Sequence, residues 1–305
     1  MAESGGDQRI LIVGTGAMAT FFAYQLARAG VDVVILGGWT AGIEALNRDG
    51  AGLLQPDGKV SRMRVHAIND LQGQSPFDLE LVLVKAWQTE KAAEQLLHSL
   101  AQGGMVLTLQ NGLGNREVLA ARLGVEKVIV GVTTLGASLV EPGLARPGGD
   151  GVISLEDHAG AERFRRLFAQ AKLATEIIPN ASSLIWGKLV INAAINPLTA
   201  LLGVPNGVLL EQPLAHNLMA ELANEAALTA VSIGVKLPFA DPILAAEEVA
   251  RKTANNYSSM YQDLKRGSRT EIDAICGEIV RIANAHAVQV PVNWMMWRLV
   301  SSCQD

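Results

Sequence analysis

The sequence predicts an α/β protein in two parts, a doubly wound parallel sheet followed by an all-α domain. Over about the first 180 residues, short apolar runs alternate with stretches of helical periodicity, which is typical of a parallel sheet covered by helices on both faces. From Ala181 onward the only clear pattern is helical. We therefore place the domain boundary after residue 180 and predict domains over residues 1–180 and 181–305.

The elements of the first domain follow from local apolar patterns. Strands are predicted at 9–13, 31–36, 79–84, 105–109, 127–131 and 175–178, and helices at 17–29, 88–100, 115–123 and 161–171. The turn-rich segment 141–149 contains two Pro-Gly pairs and predicts hairpin edges. In the second domain, helical periodicity covers 183–202, 213–233, 240–252 and 270–286.

Composition excludes several functional classes. The 305 residues are 49% hydrophobic and only 5% aromatic, and the net charge is -5, so neither a nucleic-acid surface nor disorder is expected. The two cysteines and five scattered histidines lack metal-ligand spacing, so we predict no metal. No signal peptide is recognisable, and no uninterrupted apolar run has the length of a membrane span. We expect a cytoplasmic protein with no nucleic-acid or membrane partner.

A glycine-rich turn follows the first predicted strand. Residues 14–19 read Gly-Thr-Gly-Ala-Met-Ala, which matches G-x-G-x-x-A. In this pattern Gly14 makes the tight turn, Gly16 lets a pyrophosphate approach the backbone, and the helix N-terminus offers free N–H groups. The position within a βαβ unit predicts a Rossmann-type dinucleotide site formed by Gly14, Thr15, Gly16, Ala17 and Met18. An ordinary glycine-rich turn is the alternative.

The end of the second strand lacks the residue that usually selects the nicotinamide cofactor. An acidic residue there binds the ribose hydroxyls of NAD, whereas an Arg accepts the 2′-phosphate of NADP. The sequence instead reads Leu-Gly-Gly-Trp-Thr over 36–40, with neither an acidic residue nor an arginine. The residues alone therefore leave the choice between NADPH and NADH open.

Two polar residues follow later strands of the predicted sheet. Lys85 comes directly after the 79–84 strand, and Asn111 follows the 105–109 strand in a Gln-Asn-Gly segment. Ligands bind outside the carboxyl ends of strands in open α/β sheets, so both positions are candidates for binding. A solvated lysine and a common Asn-Gly turn are the alternatives.

The first helix of the second domain carries a polar stripe. Lys188, Asn192 and Asn196 are spaced i, i+4 and i+8 among almost entirely apolar neighbours. A lysine in a partly dry cleft can donate a proton to a developing alkoxide. The alternative is a satisfied polar network between the domains. Pro197 disfavours helical geometry at the residue before it and predicts a kink at Asn196. Further along, Ser268-x-x-Glu271 has the pattern of a capping box.

Together these motifs resemble the ketopantoate reductases (2-dehydropantoate 2-reductases). The resemblance extends from about Arg9 to the last helix. It rests on the glycine turn, Val84-Lys85, Gln110-Asn111-Gly112, the Lys188-x3-Asn192-x3-Asn196 stripe, and the segments at 258–263 and 270–273.

The resemblance implies NADPH-dependent reduction of 2-dehydropantoate to pantoate, in the pantothenate pathway. It implies that Lys188 is the general acid and that Glu271 hydrogen-bonds the substrate or this lysine. The substrate-binding residues it implies are Asn111, Asn192, Asn196, Asn206, Asn256 and Ser259. Lys85, Gly38 and Asn111 would contribute to cofactor binding. The family often has an Arg where Gly38 stands, so NADH is not excluded as the cofactor.

Three interpretations of the whole chain follow. The first is the reductase just described, acting on a small 2-oxo acid, with a homodimer possible. The second is a paralogue that reduces another 2-oxo acid or an imine. The third is a nucleotide-sensing or other non-enzymatic protein with impaired cofactor binding, for which Gly38 is the only hint.

Overall fold

The computed structural model of the protein describes residues 9–304, and these divide into two compact units. The first unit comprises 9–110 and 115–181, and the second comprises 111–114 and 182–304. The predicted boundary lay after residue 180, and the division along the chain falls after residue 181. The short loop 111–114, which sequence analysis assigned to the first domain, belongs to the second unit.

The strands of the first unit form two sheets. In chain order they are β1 (Arg9–Val13), β2 (Asp32–Leu36), β3 (Ala51–Leu54), β4 (Val60–Met63), β5 (His66–Ile68), β6 (Phe77–Val82), β7 (Leu100–Thr108), β8 (Val128–Thr133), β9 (Ala137–Glu141), β10 (Leu144–Pro147), β11 (Ile153–Glu156) and β12 (Thr175–Ile178). The larger sheet has the order β12-β11-β8-β7-β6-β1-β2-β5, and the smaller one β4-β3-β10-β9.

The larger sheet confirms the predicted doubly wound fold. Strands β5, β2, β1, β6, β7 and β8 are parallel to their neighbours, and β11 runs antiparallel to β8. The strand order reverses between β1 and β6, which is the switch point where ligands bind in this architecture. The glycine turn follows β1, so it lies at this point.

The smaller sheet contains the hairpin that the turn residues predicted. Strands β9 and β10 pair antiparallel across the turn at 142–143, which confirms the expected hairpin edge. Strands β3 and β4 form a second antiparallel pair, and β10 joins the two by a parallel pairing to β3. Sequence analysis did not predict strands β3, β4 and β5, which have only three or four residues each.

The helices of the first unit pack on this framework. They are α1 (Ala17–Arg28), α2 (Thr40–Asp49), α3 (Thr89–Leu96), α4 (Asn115–Leu123) and α5 (Ala161–Gln170). Helix α3 ends earlier than the predicted 88–100, because Leu100 already pairs with Phe77 at the start of β7. The aromatic centre of the core is Phe22 from α1 with Phe164 and Phe168 from α5, all fully buried.

The second unit is helical over the part of the chain that the structure describes, apart from its loops. Its helices are α6 (Ser182–Leu202), α7 (Val208–Glu211), α8 (Pro213–Ser232), α9 (Pro242–Lys252), α10 (Ser259–Lys265), a π-helical turn (Asp273–Gly277), α11 (Glu278–Ala285) and α12 (Pro291–Ser302). Helix α6 contacts α8, α9, α10 and α12. Its length and composition would suffice to cross a membrane, but 67% of its most apolar stretch is buried inside the protein, as in a core helix.

Two local predictions in this unit are wrong. The predicted helix over 270–286 is interrupted, because residues 273–277 form a π-helical turn before α11 begins at Glu278. The capping box is also absent among the described residues: the N–H of Ser268 donates to the carbonyl of Asp263 at 2.9 Å, and Oγ1 of Thr270 accepts the N–H of Ile272 at 3.2 Å. Glu271 lies two residues before the π-helical turn, and its carbonyl accepts the N–H of Ile275 at 3.1 Å. Helix α6 continues through Pro197 to Leu202.

Candidate active site

The glycine turn has the shape that a dinucleotide requires. Gly14 has a φ of +132°, and its N–H donates to the carbonyl of Leu36 at 2.8 Å. A Cβ at Gly14 would lie 3.0 Å from the carbonyl oxygen of Leu83, so this position needs glycine for both conformation and space. A Cβ at Gly16 would meet nothing within 4 Å. Open space therefore faces Gly16, where a pyrophosphate would approach.

The N-terminus of α1 begins directly after this turn. Ala17 and Met18 occupy its first turn, and the N–H of Thr20 donates to the carbonyl of Gly16 at 2.9 Å. The N–H groups before Thr20 lie too early in the helix for an intrahelical partner, so they are the groups that bind anions at helix N-termini. The residues present fit a dinucleotide phosphate.

The two glycines after β2 differ in their surroundings. A Cβ at Gly37 would come within 2.5 Å of Cγ2 of Thr15, so Gly37 is needed for close packing against the glycine turn. Gly38 is exposed, and a Cβ there would meet nothing within 4 Å. The structure therefore leaves room for a longer side chain at Gly38. Trp39 is 41% exposed, with its ring lying against Gly42 at the start of α2.

The carboxyl ends of β6 and β7 are tied together by Gln110. Its Nε2 donates to the carbonyl of Val84 at 2.9 Å and to Oγ1 of Thr89 at 2.8 Å. Thr89 in turn donates to Oδ1 of Asn115 at 2.9 Å, and both of these residues are buried. Lys85 follows Val84, is half-buried, and donates its N–H to Oε1 of Gln88 at 3.3 Å. Gln110 therefore sets the backbone position from which Lys85 emerges.

The loop 111–114 packs against the π-helical turn of the second unit. Nδ2 of Asn111 donates to Oε2 of Glu271 at 3.3 Å, and the N–H of Leu113 donates to the carbonyl of Ala274 at 2.9 Å. Gly112 has a φ of +82°, and a Cβ there would lie 2.5 Å from that same carbonyl oxygen. Glycine at position 112 is therefore required for the approach that brings Asn111 to Glu271.

Lys188 lies on α6 and interacts electrostatically with the carboxylate of Glu271. The lysine side chain is half-buried, and burial lowers the pKa of Lys188 to about 8, while the negative charge of Glu271 acts in the opposite direction. Glu271 itself is only 7% exposed. The second unit thus brings together a lysine, a carboxylate and an amide from three separate segments of the chain. This arrangement can hold and release one proton.

The two asparagines further along α6 have different environments. Asn192 is half-buried, whereas Asn196 is buried and its carbonyl accepts from Oγ1 of Thr199 at 3.1 Å. Oγ1 of Thr199 also lies 2.8 Å from Oγ of Ser258, and this contact links the N-terminus of α10 to α6. Ser258 accepts the N–H of Tyr261 and caps α10. Sequence analysis gave no role to Thr199 or to Ser258, although a serine directly before the first residue of a helix is an N-cap signal.

Asn206 lies in a turn that is fixed by the segment after α9. Its N–H donates to the carbonyl of Asn256 at 2.9 Å, and its Nδ2 donates to Oγ1 of Thr253 at 2.8 Å. Its Oδ1 is buried with no hydrogen-bond partner among the residues that the structure describes. The side chains of Asn256 and Ser259 are exposed. Asn256 contributes to this turn through its backbone carbonyl. Thr253 was not predicted, because a threonine at the end of a helix carries no distinctive sequence signal.

A dinucleotide turn on a doubly wound sheet, together with a proton-holding lysine on a helical unit, defines an NAD(P)-dependent oxidoreductase. Comparison with known families identifies which one. The model of "Ketopantoate reductase PanE/ApbA" matches residues 10–160, and that of "Ketopantoate reductase PanE/ApbA C terminal" matches residues 180–304. The chain belongs to the ketopantoate reductase family.

Individual relatives agree with this family. The chain is 34% identical to the 2-dehydropantoate 2-reductase of Halobacterium salinarum, across 93% of this chain and 95% of that protein. It is 33% identical to that of Archaeoglobus fulgidus, across 98% of each chain. Among solved structures, a PanE/ApbA family ketopantoate reductase from Ralstonia eutropha has a TM-score of 0.90 at 31% identity, with 97% and 98% coverage. D-mandelate dehydrogenase, solved with NADH and anilino(oxo)acetate, has a TM-score of 0.91 at 26% identity, with the same coverage.

Proposed function

We propose that the protein reduces 2-dehydropantoate to pantoate with NADPH and that Lys188 donates the proton. The observation that carries the proposal is the cluster of Lys188, Glu271 and Asn111 in the second unit. Relatives named 2-dehydropantoate 2-reductase support the substrate. A cytoplasmic location and a possible homodimer go with this proposal.

Cofactor binding is assigned to the first unit. Backbone N–H groups from Gly14 to Met18 would hold the pyrophosphate, and Lys85 would lie near the cofactor. A bound nicotinamide supplies the hydride for the reduction. The protein must hold the keto acid and neutralise the negative charge that develops on its oxygen.

Lys188 is suited to donate the proton. With a pKa of about 8, its ammonium group is mostly protonated at neutral pH yet gives up its proton more readily than an exposed lysine does. Loss of that proton to the alkoxide leaves a neutral amine, which buried surroundings favour. Glu271 keeps the ammonium form populated, and Asn111 fixes the carboxylate through its hydrogen bond.

Substrate binding is assigned to the amides of the second unit. Asn192, Asn196 and Asn206 are fixed to the helical framework, and Asn256 and Ser259 lie exposed beside it. Oδ1 of Asn206 has no donor among the residues that the structure describes, and it would accept a hydrogen bond from the hydroxyl group of the substrate once binding brings the two into contact. A substrate without this hydroxyl would leave that oxygen unpaired and bind less well.

The proposal is tested by following NADPH absorbance with 2-dehydropantoate. We expect saturable oxidation of NADPH, and a loss of about 10² to 10⁴ in kcat for Lys188→Ala, the range for removing a general acid. A matched control is Lys236→Ala, since Lys236 follows α8 in the same unit. Unchanged turnover in Lys188→Ala would show that Lys188 is not the proton donor. An absence of turnover in the native protein would show that 2-dehydropantoate is not its substrate.

A second candidate is reduction of another 2-oxo acid with NADH. It is favoured by the TM-score of 0.91 to D-mandelate dehydrogenase, which was solved with NADH, and by the uncharged Gly38. Comparing kcat/KM for 2-dehydropantoate and phenylglyoxylate, each with NADPH and with NADH, separates the two candidates. A higher value for phenylglyoxylate with NADH would favour the second.

Calorimetric titration also tests the non-enzymatic interpretation. The glycine turn fits a dinucleotide, so we expect NADPH or NADH to bind below millimolar concentration. Failure of both cofactors to bind would favour a protein that has lost cofactor binding.

A further inference from the structure

A cavity of about 850 Å³ lies within the first unit, away from the glycine turn. Its walls are the second half of α1, the β3–β4 turn, the end of β10 and the segments after β8 and α5. Arg28, at the last turn of α1, is eleven residues beyond Ala17, which corresponds to about 16 Å along a helix axis. The cavity therefore lies at the opposite end of α1 from the dinucleotide turn. Its volume is within the range of small-molecule sites.

The mouth of this cavity is cationic. Arg28, Arg146 and Lys172 line it, all three are exposed, and none forms a salt bridge with a residue that the structure describes. The guanidinium of Arg28 lies 5.8 Å from the ring centroid of Tyr24, another lining residue. Asp150 is the one carboxylate in the lining, among the described residues. The excess of positive charge favours an anion.

The wall of the cavity carries an unused hydrogen-bond acceptor. Gln25 lines the cavity, and its Oε1 is buried with no hydrogen-bond partner among the described residues. A buried acceptor without a donor is costly, so a turn of the Gln25 side chain that brings this oxygen to a ligand N–H or O–H in the cavity would be favourable. Leu54 and Leu135, which are half-buried, offer apolar surface to the same cavity.

We infer that this cavity binds a small organic anion that carries a hydrogen-bond donor and an apolar group. Each part of such a ligand has a counterpart in the lining: the cations for the negative charge, Gln25 for the donor, and Leu54 with Leu135 for the apolar group. The site is separate from the residues assigned to cofactor and substrate, so it stands independently of the proposed function.

The probe for this site is N-acetyl-leucine, titrated into the full chain by calorimetry. It combines a carboxylate, an amide N–H and a branched apolar group, and it has no ketone to reduce. Three analogues each lack one part: N-acetyl-leucine amide lacks the charge, 4-methylpentanoate lacks the N–H, and N-acetylglycine lacks the apolar group. We expect saturable binding of the probe and weaker binding of all three analogues.

Substitutions in the lining test whether the probe binds in this cavity. Arg146→Gln and Arg28→Gln each remove an exposed charge and should weaken binding of the probe about threefold to fivefold, since an exposed ion pair contributes up to about 1 kcal/mol, or about fivefold in Kd. Lys91→Gln, an exposed lysine on α3, is the matched control and should leave binding unchanged. Ala174→Phe should fill the mouth from an exposed lining position and abolish binding.

Lys188→Ala distinguishes this site from the candidate active site. Probe binding that survives in Lys188→Ala and weakens in the Arg146→Gln variant supports the inference, whatever the outcome of the reductase assay. The inference is overturned by an absence of saturable binding, by equal binding of N-acetyl-leucine and its amide, or by binding that depends on Lys188 and not on Arg146.

Discussion

Asn111 and Glu271, which are 160 positions apart in the chain, are joined by a hydrogen bond of 3.3 Å from Nδ2 to Oε2. The contact exists because Gly112 lets the loop after β7 approach the π-helical turn that follows Glu271. It fixes the carboxylate whose charge supports the ammonium form of Lys188. Contacts between distant parts of the chain therefore bring Asn111, Glu271 and Lys188 together. The ionisation of Lys188 can be tested directly.

The first prediction concerns the pH dependence of reduction. Lys188 must be protonated to act as an acid, and burial lowers its pKa to about 8. We expect kcat/KM for reduction to be level at neutral pH and to fall about tenfold per pH unit well above pH 8, as the ammonium deprotonates. The measurement is a pH profile of initial rates. A profile that stays level to pH 10 would contradict this assignment, since an unshifted lysine would remain charged there.

The second prediction is that Glu271→Gln shifts this profile to lower pH. The substitution keeps the shape of the side chain but removes the negative charge that raises the pKa of Lys188, so burial then acts unopposed. We expect the alkaline limb of kcat/KM to begin at lower pH than in the native protein. Glu221→Gln, an exposed position on α8, serves as the control and should leave the limb in place. An unmoved limb in Glu271→Gln would show that the carboxylate does not interact with Lys188.

The third prediction is that Gly38→Arg increases the preference for NADPH over NADH. A Cβ at Gly38 meets no atom within 4 Å, so the backbone accepts a side chain there without strain from packing. A guanidinium at the end of β2 can bind the 2′-phosphate by donating hydrogen bonds to its oxygens. We expect the ratio of kcat/KM with NADPH to that with NADH to rise about tenfold or more, corresponding to about 1.4 kcal/mol.

Two further variants control this experiment. Gln72→Arg adds the same charge at an exposed loop and should leave the ratio unchanged. Gly37→Arg should impair folding, because a Cβ there would come within 2.5 Å of Thr15. A Gly38→Arg protein that folds normally but keeps the native ratio would argue against Gly38 as the position that reads the 2′-phosphate.

The predictability of the fold and site depends on how local each feature is. The glycine turn and α1 follow from adjacent residues, and the structure shows them as the sequence indicated. Strands β3 and β5 could not be predicted, because they are short and pair with segments far along the chain, β3 with β10 and β5 with β2. Glu271 illustrates the limit for the site. Its local context predicts a capping box, whereas its actual contact comes from a loop 160 positions away.

The fourth prediction concerns Glu80, a buried carboxyl group in the centre of the large sheet. Its Oε1 accepts from Oγ of Ser99 at 2.6 Å, its Oε2 has no partner among the described residues, and burial raises the pKa of Glu80 to about 8. The folded protein therefore keeps this proton up to about pH 8, whereas the unfolded chain releases it near the ordinary value of 4.5. Over that interval the folded state binds more protons, so stability falls as pH rises and levels off above pH 8.

Substitution of Glu80 by Gln tests this account, because the amide cannot ionise. We expect Tm of Glu80→Gln to match the native protein near pH 5 and to exceed it by about 5 °C or more at pH 9, where the native protein holds a buried charge. The measurement is thermal unfolding followed by circular dichroism across this range. Asp78→Asn, an exposed position on the same strand, should shift Tm equally at both pH values. A difference for Glu80→Gln that does not grow with pH would mean that Glu80 ionises at its ordinary pKa in the folded protein.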